Sequence, residues 1–93
     1  MRTRWVLYVR RNGHFEHVVS LGSMIQMNRF LSSIKNPLLN PLFSSRLAVV
    51  YGLIELKLVK EHHRFIFTSK KCRKIYWEKE YTGWKIYGDL EHE

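Results

Sequence analysis

Residues Thr3 to Arg10 alternate and are rich in strand formers (Trp5, Val6, Leu7, Tyr8, Val9), the period-two pattern of a β-strand. Arg11-Asn12-Gly13 follows, and then a second run, His14-Phe15-Glu16-His17-Val18-Val19. Asn and Gly both tolerate the positive φ of a type I′ turn, so the pattern predicts a β-hairpin over residues 1–20. Gly22-Ser23 breaks the alternation. Ser23 can cap a helix whose apolar stripe is Met24, Met27, Leu31 and Ile34, with Phe30 beside it. Asn36-Pro37 ends that helix, because the residue before proline is pushed out of the helical region. In Pro37-Leu38-Leu39-Asn40-Pro41, Asn40 can cap a further short turn with Pro41 at its first position.

Leu47, Val50, Tyr51, Ile54 and Leu58 then recur at the spacing of one helical face. This spacing predicts a helix from Ser44 to Leu56. An extended run (Leu58-Val59-Lys60), a polar turn (Glu61-His62-His63-Arg64) and a second extended run (Phe65-Ile66-Phe67) come next. Thr68 or Ser69 can cap a basic helix with Cys72, Ile75 and Tyr76 on one side. The alternative is that 47–59 forms one long buried strand, which the Val-Val and Leu-Ile pairs also suit. Tyr81-Thr82-Gly83 predicts a turn. Trp84 to Tyr87 predicts a short strand able to pair with the N-terminal hairpin, and the acidic residues 89–93 a frayed tail.

Helix, two-stranded ribbon, helix is the order of the second half of a winged-helix domain, and residues 44–76 resemble that family in sequence as well. Leu53-Ile54-Glu55-Leu56-Lys57-Leu58-Val59-Lys60 is similar to the way its recognition helix ends. Phe67-Thr68-Ser69-Lys70-Lys71 is similar to the start of its final helix. Lys57 and Lys71 stand where the family usually has glycine. The resemblance implies a single α+β domain over 1–93, with the hairpin at 1–20, a winged-helix-like unit at 23–80 and a C-terminal strand at 84–88. It also implies a DNA-binding surface. The helix with Ser44, Ser45 and Arg46 in its first turn would enter the major groove, with Arg46 on a guanine edge. His62, His63 and Arg64 would approach the backbone, and Lys70, Lys71, Arg73 and Lys74 would contact phosphates.

Charge adds weight to a polyanionic partner. Sixteen Lys and Arg face eight Asp and Glu, a formal charge of +8 on 93 residues, and such a field draws in nucleic acid. Arg10 and Arg11 at the hairpin turn extend the candidate basic surface. The single cysteine, Cys72, allows no intramolecular disulfide and fits a reducing, cytoplasmic compartment. The apolar runs are too short to span a bilayer, and Arg10 and Arg11 interrupt any signal-peptide core. No membrane partner is expected.

Other chemistry finds little support. His14, His17, His62, His63 and Cys72 lack the spacing of a zinc site, and Cys72 falls on the core side of its segment. No phosphate-cradling glycine loop and no catalytic carboxylate pair is present, so neither a cofactor nor an enzymatic activity is expected. The leading expectation is a double-stranded DNA-binding regulator, dimerising through an apolar helix face at Ala48, Val49 and Leu53. One alternative is a protein-binding module, of the kind a phage or virus directs at its host, that docks the same face on a partner. The other is RNA or single-strand binding on a β surface, where Trp5, Tyr8, Trp77, Tyr81, Trp84 and Tyr87 stand among basic residues.

Overall fold

The structure is a computed structural model describing residues 2–63, 67–81 and 83–92, with side chains as far as Tyr87. Five strands, β1 (Arg2–Arg11), β2 (His14–Leu21), β3 (Leu53–His63), β4 (Thr68–Glu78) and β5 (Lys85–His92), form one antiparallel sheet in the order β2-β1-β3-β4-β5. The helices α1 (Met24–Ser32) and α2 (Arg46–Tyr51) lie in the connection from β2 to β3, separated by a single 3-10 turn at Pro37–Leu39. The winged-helix expectation is therefore corrected to a sheet-dominated fold. Residues 44–76 contain one short helix and two long paired strands, not helix, ribbon and helix.

The physical reason lies in two coincidences of spacing. Ile54 and Leu58 satisfy a helical stripe, but with Leu56 between them they also satisfy a strand's inward face, and all three are buried. Gly52 then decides the matter. It takes the left-handed conformation (φ 68°) as the cap of α2, and its amide donates to Ala48 O. The helix stops there, and the chain turns directly into β3. Likewise the basic segment after Thr68 is strand, paired residue by residue with β3 from Leu53↔Glu78 to His63↔Thr68.

Asn12 (φ 51°) and Gly13 (φ 81°) turn β1 into β2. A bulge between Leu7 and Tyr8 sharpens the hairpin's twist. Ser23 Oγ accepts from Gln26 N at 3.2 Å and starts α1. α1 ends at Ser32, earlier than Pro37 alone demands, and Asn36 instead caps the 3-10 turn. Asn40 accepts from Leu42 N through its side chain at 2.9 Å and from Phe43 N and Ser44 N through its carbonyl. The result is a tight turn that drops Phe43 into the core. At the other end, the strand after Trp84 pairs with β4, not with the N-terminal hairpin, and runs on through His92 in place of the expected frayed tail. Thr82 and Glu93 lie outside the described residues.

One sheet face carries the main core. Leu7, Val9, Ile54, Leu56, Leu58 and Ile75 meet Met27, Leu31, Phe43 and Ala48 from the covering segment. Phe43 stands edge-on to Phe30 and Trp84, with ring centroids 6.3 and 5.8 Å away. The Trp84 indole donates to Leu31 O at 3.2 Å, tying the start of β5 to α1. No helix of the described residues is long and apolar enough to cross a membrane.

Candidate nucleic-acid interface

Among the described residues no helix packs on the opposite face of the sheet, and strand parity decides what that face displays. Side chains there form rows across the strands. His17, Tyr8, Lys57, Lys74 and Tyr87 are successive cross-strand partners from β2 to β5. Beside them, Phe15 pairs with Arg10, Glu55 with Tyr76 and Tyr76 with Lys85, and an ion pair of 3.4 Å joins Arg10 to Glu55. The first row spans four strand spacings, ~19 Å. That is room for several nucleotides at the ~3.4 Å rise of a stacked strand.

The rings are held by each other and by cations. Tyr8 stands edge-on to His17 at 6.0 Å, and Tyr76 to Tyr87 at 5.0 Å. The Lys57 ammonium lies 5.4 Å from the Tyr8 ring centre and 5.0 Å from that of Phe15. Lys85 lies 4.4 Å from Tyr81 and 5.9 Å from Tyr76. Burial raises the Tyr87 hydroxyl above its ordinary pKa, and the neighbouring Glu55 charge adds to the rise. The neutral phenol places no negative charge of its own beside Lys74.

Further along, Val6, Val59 and Cys72 form a small buried row between longer neighbours, where Cys72 acts as a small hydrophobe. Next to it, Glu61 accepts from His63 Nε2 at 2.9 Å and pairs with Lys70 at 3.8 Å. Thr68 Oγ1 lies 3.3 Å from His63 Nδ1. No group of three or more His, Cys, Asp or Glu side chains among the described residues could hold a metal ion.

The basic residues that the sequence suggests do not form one surface. In a strand, successive side chains point to opposite faces, so Lys70 and Lys74 share the open face while Lys71 and Arg73 share the helix-bearing one. His62 joins the latter, with its Nδ1 3.4 Å from Thr3 Oγ1, whereas His63 is on the open side. Arg11 is structural. Its guanidinium donates to Pro41 O at 2.7 Å and to Leu42 O, and it pairs with Glu16 at 3.4 Å. These bonds staple the hairpin turn to the covering segment.

Ser45 Oγ accepts from Ala48 N at 3.1 Å as the cap of α2, leaving Arg46 exposed on a six-residue helix beside Ser44. A helix this short, with Ala48 in the core, is not the groove-reading element expected of 44–56. The apolar face is corrected too. Ala48 is buried, while Leu47, Val50 and Tyr51, placed inward by the helical spacing, are exposed along with Val49 and Leu53. Arg64 lies outside the described residues.

Of the aromatics singled out from the sequence, Trp5, Trp77 and Trp84 belong to the helix-bearing side, and Tyr8 and Tyr87 to the open face. Sequence reasoning missed Phe15, His17, Lys57, Tyr76 and Lys85. The parity of each strand, counted from its buried positions, is the signal that finds them. No protein-family model matches this sequence, and neither a curated protein nor a solved structure matches the chain.

Proposed function

We propose that the open sheet face binds single-stranded nucleic acid. The observation that carries this reading is the row His17–Tyr8–Lys57–Lys74–Tyr87, with rings at both ends and two directly opposed lysines between them. A phosphate over Lys57 and Lys74 meets two ammonium groups on adjacent strands. Bases stack on exposed rings at ~1–3 kcal/mol each, with little regard to sequence. A flat, twisted platform suits splayed bases better than a duplex, whose grooves admit a helix or a narrow ribbon.

The test is fluorescence anisotropy with a labelled single strand and with the matching duplex across a salt series. Tighter binding of the single strand, with a log–log slope of several units, is the expected result. Equal or tighter duplex binding, or none at low salt, rejects the reading. A second reading, an apolar contact with a protein partner, has its own observation in the exposed Leu47, Val50, Tyr51 and Leu53. Sedimentation of the purified chain shows whether that patch joins two copies.

A further inference from the structure

We propose a second, separate phosphate-binding site on the helix-bearing face, formed by Lys60, Lys71 and Arg73. It deepens the nucleic-acid reading in one respect, since a phosphodiester of the bound strand is the ligand that reading supplies. The site itself rests on independent geometry.

The helical layer covers only part of its sheet face. Beyond Leu58 and Ile75 the same side of β3 and β4 runs on past the edge of the core, and there the inward positions switch from aliphatic to cationic. Lys60 and Lys71 are direct cross-strand partners, and Arg73 is two residues from Lys71, opposite Leu58. All three are half-buried. Lys60 is held with its ammonium 5.3 Å from the Trp5 ring centre, fixing its direction on the neighbouring strand. The Arg73 Nε is buried and has no hydrogen-bond partner among the described residues.

None of the three makes an ion pair among the described residues, and Glu61, the neighbouring carboxylate on β3, faces the other side. A buried donor without an acceptor and two opposed ammonium groups are each unfavourable alone. A phosphate offers several acceptor oxygens and a negative charge, and relieves both conditions at once. The guanidinium fork and two point charges are the chemistry that phosphate recognition uses.

The Arg73 Nε–H resonance reports the site directly. Titration of the whole protein with inorganic phosphate, at constant ionic strength against chloride, is expected to shift that resonance. It is also expected to raise the thermal midpoint, because a ligand of the folded state stabilises it. Both responses should vanish in Lys60→Gln/Lys71→Gln, a variant that removes like-charge repulsion and so keeps the fold. No shift in the wild type, or an equal shift in the variant, overturns the site.

A single-stranded oligonucleotide longer than the ~4–16 nucleotides of a typical single-strand site separates the sources of phosphate. If the strand supplies the group, it shifts Arg73 as well, and Lys60→Gln/Lys71→Gln lowers the salt slope by about 0.7 for each phosphate that is no longer neutralised. If the oligonucleotide leaves Arg73 unmoved while inorganic phosphate shifts it, the ligand is a free phosphate, and the assignment to nucleic acid is rejected. Tyr8→Ala/Tyr87→Ala tests the open face separately. Loss of oligonucleotide binding there, with the phosphate response intact, shows that the two sites are distinct.

Discussion

The two faces of the sheet are built from the same strands with opposite chemistry. On the covered face, Leu7, Val9, Ile54, Leu56, Leu58 and Ile75 meet Phe43, Met27 and Leu31, and side chains interlock at full burial. On the open face, the buried apolar set shrinks to Val6, Val59 and Cys72, and much of the rest goes to rings, basic side chains and the carboxylates of Glu55 and Glu61 that pair with some of them. The first face gains by excluding water. The second leaves rings and the opposed Lys57 and Lys74 within reach of solvent.

Substitutions probe that contrast, beginning with the largest effect. Phe43→Ala removes a fully buried ring from the middle of the covered core and should cost ~3–5 kcal/mol by denaturant unfolding. Tyr8→Ala and Tyr87→Ala, on the other face, should instead weaken single-strand binding by ~1–3 kcal/mol for each base that loses its platform, read by anisotropy titration. If these two substitutions proved as destabilising as Phe43→Ala and left binding unchanged, the division of labour would be refuted.

Ser45→Ala deletes the cap of α2 and should cost ~1 kcal/mol in thermal unfolding without changing nucleic-acid affinity. Lys74→Gln separates the two kinds of contribution within one residue. It should raise stability by a few tenths of a kcal/mol, about the size of a cross-strand charge effect, and lower the salt slope by ~0.7.

The smallest effect concerns pH. The Tyr87 hydroxyl has its folded pKa raised above the ordinary value of 10.0 by burial and by the Glu55 charge. Its contribution is fully present below about pH 10 and is lost as pH rises through the folded pKa. Thermal midpoints at high pH should therefore fall less steeply for Tyr87→Phe than for the wild type.

What can be read from the sequence follows a physical divide. The N-terminal hairpin and α1 are legible because Asn12-Gly13 and Ser23 act on their own neighbours, whatever the rest of the chain does. The central segment is not. Between Leu47 and Leu58 the apolar residues satisfy two periods at once; the helix holds as far as Tyr51, and beyond Gly52 the strand wins because β1 and β4 supply partners on both sides. The left-handed Gly52 is the local clue. Its fit is tight as well, since a Cβ there would collide with the Lys79 side chain, and Gly52 O accepts from Lys79 N.

The basic cluster at residues 70–74 is legible as a set of charges but not as a site. Assigning Lys70 and Lys74 to one face and Lys71 and Arg73 to the other needs strand parity, which a helical reading erases. The aromatic set has the same fault, since Trp5 and Trp84 are spent on packing while Phe15 and Tyr76 face outward.

The strand order also governs how the chain finds its fold. β1–β2 and β3–β4 are local hairpins, each able to close in ~1–10 μs. The central seam between β1 and β3, from Arg2↔His63 to Val9↔Leu56, joins residues at opposite ends of the covering segment. Closing it is a high-contact-order step, and such topologies fold in milliseconds to seconds. Before it closes, the edges of β1 and β3 that meet there are unpaired and carry Val6, Leu7, Leu58 and Val59. Edges of that kind pair with whatever strand arrives first. Refolding yield should therefore fall as protein concentration rises, with the intermolecular competitor being another copy's hairpin taking the place of this chain's own.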